Sequence, residues 1–526
     1  MLTVHQEVER KYVADDGFEL PPLTELMVGT DGRRDQQIAP VVEGDPVRQR
    51  LAATYFDTAD LRLARAGLTL RRRTGGDDAG WHLKVPVGVG DRSEVRLPLG
   101  RGARTVPAPL QKMVWARSLG SPLQPIAEIV TDRTVRRVVD VTGHVLAEVS
   151  DDRVTARRLL PTDGPGTAAA AARSWREIEV ELGDGDVELL TAVDARLREN
   201  GLQESPSASK LAQVLELDGS APAGATRKTK KLTVKSPAGE VLLAHLREQV
   251  QQVQAQDLPV RLDAPDSIHK MRVATRRLRS ALTTFKKLFD ADVVRPLRGE
   301  LKWLAGELGA ARDAEVMRDR VQEAVEAEGD VALGPVAALA HEELSQSYRA
   351  AHDRVLAELD GERYHAILTA LEALVVSPPL TKRAAATAGK TLPRMVAGSY
   401  AGVRRLVEQA DATPDPAERE ELLHDARKAA KQARYAGESV SRVFGKEATA
   451  FAEAMENVQE ALGEHQDSVL TRERLRDLAL HTSSTGAAFL YGRLHALEEA
   501  HAQESQQHFD TAWKAAGRKS LHRWLR

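Results

Sequence analysis

The period of hydrophobic and polar positions changes near residue 220. Before that point, short runs alternate with a period of two, the mark of strands with two unlike faces. The run His5-Gln6-Glu7-Val8-Glu9-Arg10-Lys11-Tyr12 opens the series. As a strand it puts Glu7, Glu9 and Lys11 on one face and Val8 with Arg10 on the other. Thr69, Arg71 and Arg73 share a face, as do His82 and Lys84, the latter pair opposite Trp81, Leu83 and Val85. Glu94 and Arg96 oppose Val95 and Leu97, and Glu177, Glu179 and Glu181 oppose Ile178, Val180 and Leu182. Residues 52–58, 132–140 and 146–151 read as further strands, with Gly, Pro and Asp between the runs.

From about Pro237 the spacing becomes helical, as Leu242, Leu243, Leu246 and Val250 show. Pro265-Asp266-Ser267 then opens a helix with capping residue types. Met271, Leu278, Leu282 and Phe285 supply its apolar contacts, while His269, Arg272, Arg276 and Arg279 form a basic stripe. His424, Arg427, Lys431 and Arg434 repeat that stripe at identical spacing, 155 positions on. Leu308-Gly309-Ala310-Ala311-Arg312-Asp313 is echoed by Leu462-Gly463-Glu464-His465-Gln466-Asp467. The helical half is therefore an internal duplication, suited to two related bundles rather than to a solenoid.

One charged row on a sheet is ordinary, because one face is often wet. Here charged rows recur on at least five strands, Glu-rich at the ends of the region and Arg- and Lys-rich in its middle. A closed barrel brings such rows together around a polar lumen. Carboxylates there suit a hard divalent cation, and Arg and Lys suit phosphate oxygens. Two facing basic stripes in the helical half would likewise form a cleft for a long polyanion. The carboxylate and histidine spacing of a di-metal bundle is not seen there.

Composition narrows the choices. A chain of 526 residues with net charge −3 is long enough for several domains, and the average hides any local basic site. It contains no cysteine, which excludes disulfides and thiolate metal sites. Neither a signal-peptide pattern nor an apolar run long enough to span a membrane is present, so a cytoplasmic protein with no membrane partner is expected. Aromatic residues make up only 4%, which argues against a base-stacking nucleic-acid platform. Walker-type loops and Gly-x-Gly-x-x-Gly fingerprints are absent, and no Ser/His/Asp or Cys/His set announces a protein nucleophile.

The ordered set Glu7-x-Glu9-x-Lys11, Tyr55-Phe56-Asp57-Thr58, Leu70-Arg71-Arg72-Arg73, Leu83-Lys84-Val85-Pro86, Glu177-Ile178-Glu179-Val180-Glu181 and Ser209-Lys210 resembles the CYTH superfamily of triphosphate tunnel metalloenzymes. The resemblance implies an eight-stranded antiparallel tunnel over residues 1–217 that binds a triphosphate with Mg²⁺ or Mn²⁺. Glu7, Glu9, Glu177 and Glu179 would hold metal, and Lys11, Arg71, Arg73, Lys84, Arg133 and Lys210 would hold phosphates. Of these, Glu7, Glu9, Lys11, Lys84, Glu177 and Glu179 would carry the catalysis. Glu94, Glu148, Asp151 and Glu181 align less closely, and Arg48 and Arg50 receive no role.

The second half resembles the CHAD domain, through His269-x-x-Arg272-x-x-x-Arg276-Arg277-x-Arg279, His424-x-x-Arg427-Lys428-x-x-Lys431-x-x-Arg434, Arg312-Asp313 and His465-Gln466-Asp467. That resemblance implies inorganic polyphosphate as partner and association with polyphosphate granules. His269, Arg272, Arg276, Arg279, Arg312, His424, Arg427, Lys428, Lys431, Arg434 and His465 would make the contacts. Lys431 in place of Arg, and Gln466 where the first repeat has Arg312, point to a weaker second half-site. The expected protein is thus an α+β multidomain chain. A basic linker over 218–235 joins the tunnel to an all-α domain over 236–526, built as two pseudo-symmetric helical bundles. The expected activity is metal-dependent hydrolysis of inorganic triphosphate. The alternatives are a non-catalytic polyphosphate-binding protein, a nucleotide cyclase and a thiamine-triphosphatase.

Overall fold

The computed structural model describes residues 3–23, 42–86, 91–100, 105–140, 142–159, 172–207, 209–215, 231–327, 334–482 and 484–526. It divides into two compact units, Met1–Thr229 and Lys230–Arg526.

The first unit is one antiparallel sheet of β1 (Thr3–Ala14), β2 (Val42–Glu43), β3 (Val47–Asp57), β4 (Thr69–Thr74), β5 (Gly80–Pro86), β6 (Asp91–Pro98), β7 (Gln124–Val139), β8 (Val145–Arg158), β9 (Arg173–Leu182) and β10 (Gln203–Glu204). The eight longer strands run β1-β6-β5-β4-β3-β7-β8-β9, and β9 pairs with β1 to close the ring. The two-residue strands β2 and β10 add to β7 and β1 outside that ring. Closure removes the sheet edges and leaves an inside and an outside, so alternation along each strand decides which side chains meet. Gly75, at φ +82°, makes the turn between β4 and β5, and a Cβ there would collide with the Arg50 carbonyl.

Among the described residues, five helices decorate this unit: α1 (Arg62–Arg65), α2 (Ala108–Met113), α3 (Trp115–Ser118), α4 (Val187–Glu199) and α5 (Lys210–Leu215). The outward face of the barrel is not solvated throughout, because Trp81, Leu83 and Val95 are fully buried. Leu189, Leu190, Val193 and Leu197 of α4 pack with Tyr12, Val149, Ile178 and Val180 from β1, β8 and β9. Asp186 caps α4 through its side chain, accepting from the Leu189 amide. Leu211, Val214 and Leu215 of α5 join Tyr55, Ile129 and Val154 in a second cluster, which seats Lys210 against the barrel.

The second unit is built from α6 (Ala238–Arg261), α7 (Ser267–Thr284), α8 (Ala291–Ala327), α9 (Gly334–Leu359), α10 (Glu362–Val376), α11 (Ala388–Ala412), α12 (Pro416–Phe444), α13 (Lys446–His481) and α14 (Thr485–Ala516). Helices α6–α9 and α11–α14 correspond in order, with the two basic stripes on α7 and α12; α10 is inserted between the repeats. Asp266 takes the N-cap position of α7 in a left-handed conformation, but its side chain makes no capping hydrogen bond. Met271, Leu278, Leu282 and Phe285 are fully buried. Most of the span 218–235 lies outside the described residues. At its end, Val234 and Ser236 accept hydrogen bonds from the Gly389 and Ala388 amides, so this stretch is tied to the start of α11. Among the described residues no helix is long and apolar enough to cross a membrane.

Candidate active site

The barrel encloses a cavity of about 330 Å³ whose walls include Glu9, Lys11, Tyr55, Arg71, Arg73, Lys84, Arg96, Arg133, Glu179, Glu181 and Lys210. Strand register explains the assembly. Arg133 lies opposite Asp152, Asp152 opposite Glu177, and Glu179 opposite Lys11, so inward positions of four neighbouring strands form one patch.

Three carboxylates meet in that patch. Asp152, Glu177 and Glu179 each offer an oxygen within 4.8 Å of the others. Arg133 donates from Nε and Nη2 to the two Asp152 oxygens, at 2.7 and 2.6 Å, and Nη2 also reaches Glu179. Lys11 Nζ lies 2.7 Å from Glu179 and 3.5 Å from Glu9. Lys210 Nζ reaches Asp152, Glu177 and Glu179 together. Burial acts to lower the pKa of Lys11, yet Glu179 and Glu9 hold it above the ordinary lysine value. Burial likewise opposes charge on Glu179, but Lys11, Lys210 and Arg133 hold its carboxyl well below the usual range.

The structure brings Glu177 and Glu179 together as the sequence suggests, with Asp152 as the third member. Glu9 approaches this trio through Lys11. The side chains of Glu7 and His465 lie outside the described residues. The less closely aligned Asp151 points the other way and makes a two-bond pair with Arg176, 2.9 Å on each oxygen. β8 continues to Arg158, and its inward side chains include Glu148 and Asp152. Reading the strand only to residue 151 hides that parity, which the continued alternation from Glu148 would have revealed.

The opposite wall is basic and is organised by Glu94, which is fully buried. Its carboxylate contacts Arg71 at 3.5 Å, Lys84 at 3.9 Å, His82 Nδ1 at 3.0 Å and, closer still, Arg96 Nε. His82 is locked at its other nitrogen by the Asp78 carbonyl, at 2.9 Å, and burial lowers its pKa to about 4. Arg73 pairs with Asp78. Burial and the like charges of Arg71 and Arg133 still lower Arg73 to about 9, the direction expected where cations outnumber anions. Arg96, on the cavity wall, and Asp152, in the carboxylate trio, are positions that sequence reasoning did not single out as site residues.

An all-oxygen trio suits Mg²⁺ or Mn²⁺, and no nitrogen or sulfur ligand completes a zinc-like set among the described residues. The donor set therefore fits a hard divalent ion.

The helical unit carries a second polar constellation. Like charges on Arg272, Arg279 and Arg427 add to burial in lowering the Arg276 pKa, so the stripes of α7 and α12 act on the same space. Arg276 and Arg279 make no ion pair among the described residues, whereas Arg272 reaches Asp313 at 3.1 Å and Arg312 reaches Glu315 at 2.8 Å. Burial and Arg312 lower the His269 pKa. Among the described residues His424 Nδ1 is buried without a hydrogen-bond partner. Lys428 is exposed and pairs locally with Asp425. Arg434 is held by Glu438 at 2.8 Å and Glu456 at 2.6 Å, and Glu438 also takes Arg277 of α7 at 2.7 Å. The repeat is visible at contact level. Arg272 lies against Gly309 and Arg427 against Gly463, where a Cβ would come within 3.5 and 2.9 Å of the guanidinium.

A closed tunnel lined by cations and carboxylates, followed by a duplicated helical unit, defines a triphosphate tunnel protein with a helical partner domain. The CYTH domain model matches residues 5–215 and the CHAD domain model residues 244–476. The chain belongs to the proteins that join these two domains. It is 36% identical over 522 residues to uncharacterized protein Rv2226 of Mycobacterium tuberculosis (strain H37Rv), spanning 97% of this chain and 96% of that protein. Among solved structures, PptA from Streptomyces chartreusis is similar at 25% identity, covering 53% of this chain and all of that one, with a TM-score of 0.44. The CHAD domain from the plant Ricinus communis is similar at 25% identity, covering 56% and 95%, with a TM-score of 0.42.

Proposed function

We propose that the tunnel hydrolyses inorganic triphosphate with Mg²⁺ or Mn²⁺, and that the helical unit binds inorganic polyphosphate. The observation that carries this reading is the convergence of Lys11, Arg71, Arg73, Lys84, Arg133, Lys210 and Glu179 around one cavity, with Asp152 and Glu177 in contact with Lys210 beside it. Asp152, Glu177 and Glu179 would hold the ion, with Glu9 and Glu7 on the adjoining strand. When bound, the ion supplies charge neutralisation and an orienting template for the attacking water. The chain's own part is to bind and align. Arg71, Arg73 and Arg96 present guanidinium forks, while Lys11 and Lys84 act as point charges on a phosphate chain. Glu94 holds that wall in place, so little reorganisation is needed as charge develops on the leaving phosphate.

Gln49, Leu51 and Val135 also line the cavity and would tolerate an organic group. That favours, as a second reading, a substrate carrying a nucleoside or thiamine. The test is phosphate release from triphosphate, ATP and thiamine triphosphate by wild type and Glu177→Gln/Glu179→Gln, with Mg²⁺ or Mn²⁺. Release from triphosphate that is fastest in wild type and lost in the double variant is expected. Release from none of the three, with polyphosphate still bound, would leave a binding protein.

A further inference from the structure

Lys210 stands where the chemistry of its neighbours suits a divalent ion. Its Nζ lies 2.8 Å from Asp152 Oδ2, 2.7 Å from Glu177 Oε1 and 2.7 Å from Glu179 Oε1. These are the three residues whose ligand oxygens cluster within 4.8 Å. One ammonium therefore touches every member of the trio. We propose that Lys210 is an internal counter-ion of the metal site: its ammonium bridges the three carboxylates in the metal-free protein, and a divalent ion binds by displacing it towards the phosphate cavity.

The two cations exclude one another. Mg²⁺ sits roughly 2.0–2.1 Å from carboxylate oxygens, so an ion on this trio would occupy nearly the same point as Nζ. Two positive centres that close repel strongly in a site shielded from water. The exchange does not require α5 to move. Leu211, Val214 and Leu215 fasten the helix in an apolar cluster, whereas the lysine head rides on a flexible four-carbon stem. Lys210 also lines the phosphate cavity, so a short swing gives the ammonium an anionic partner once a phosphate chain is present.

Two consequences follow from this arrangement. The lysine keeps three buried carboxylates together before metal arrives, which would otherwise repel. It also weakens metal binding until substrate offers the ammonium another partner, so metal and phosphate chain favour each other's binding, a coupling that is reciprocal by linkage.

The proposal rests on the metal reading above, and the experiment separates the two. The full chain is titrated with Mn²⁺ alone, without any phosphate compound, with free Mn²⁺ followed by electron paramagnetic resonance. Lys210→Met should bind Mn²⁺ roughly tenfold or more tightly than wild type, since the competing cation is gone. Its melting temperature should rise more on Mn²⁺ addition than that of wild type. Lys210→Gln removes the charge while keeping hydrogen bonding, and carries the same expectation should methionine not be tolerated. Lys210→Arg retains a cation and should stay near wild type. Asp152→Asn should lose Mn²⁺ binding. Equal or weaker binding by Lys210→Met and Lys210→Gln overturns the counter-ion while leaving the metal site standing. Absence of binding in every protein, wild type included, overturns both.

Discussion

Asp151 and Asp152 are adjacent in sequence and opposite in consequence. Asp152 is fully buried and gripped by Arg133 and Lys210, whereas Asp151 faces outward and holds Arg176. Asp152→Asn should lower triphosphate turnover by roughly 100-fold or more, because it removes a fixed charge from the reacting site. Asp151→Asn should keep turnover and cost about 1–2 kcal/mol of stability, the scale of a partly exposed charged hydrogen-bond pair. Phosphate release and thermal denaturation of both variants check this, and equal loss of turnover in both would refute the assignment. Most inward residues were legible in the sequence because a period of two leaves no choice once one of them is placed: Lys11, Arg71, Lys84 and Glu179 follow in this way. Asp152 was not legible, since Glu148 fixes its parity only if the strand continues past residue 151. Glu94's service to Arg71, Lys84, Arg96 and His82 was hidden for another reason, because it depends on which strands become neighbours.

At the scale of elements, the strands and the duplicated helices show in the pattern of the chain, and α5 does not. It has six residues and its sequence reads only as a Ser209-Lys210 pair. Tertiary packing makes it a helix, since Leu211, Val214 and Leu215 find an apolar seat beside Tyr55, Ile129 and Val154. That seat aims Lys210 at the trio, so the packing of α5 and the chemistry of the tunnel are coupled. Leu211→Ala should destabilise the tunnel unit by about 2–5 kcal/mol through the cavity left behind. It should also lower turnover, because it loosens the apolar seat that positions Lys210. Denaturant unfolding and phosphate release measure the two effects, and a stability loss with turnover intact would show that α5 does not set the position of Lys210. The insertion of α10 between the repeats was equally unreadable, because the repeat is marked by polar stripes on α7 and α12 and not by helix count.

At the scale of the molecule, two units that each gather cations in one place sit on one chain. A triphosphate is small enough for a cavity of about 330 Å³, while the proposed long polyanion would lie along the basic stripes of α7 and α12. On the proposed reading, tethering a chain-binding unit to a hydrolase would raise the local concentration of phosphate compounds without any new contact. The stripes are also unequal in a way their spacing does not reveal. Arg276 carries burial and the repulsion of three arginines with no ion pair among the described residues, so an incoming anion relieves an unfavourable charge. Arg434 is already compensated by Glu438 and Glu456, and Glu438 ties it to Arg277 across the repeat. Arg276→Ala should therefore weaken polyphosphate binding to the full chain by roughly tenfold at moderate salt and flatten its salt dependence, as loss of a screened charge contact requires. Arg434→Ala should act mainly on the stability of the helical unit, because it takes a cation from Glu456 and leaves Glu438 with Arg277 alone, and should change affinity far less. Binding titrations at two ionic strengths, set beside thermal unfolding, separate the two. Equal loss of affinity in both variants would mean that phosphate pulls Arg434 from its carboxylates and that the repeats grip the polyanion as equals.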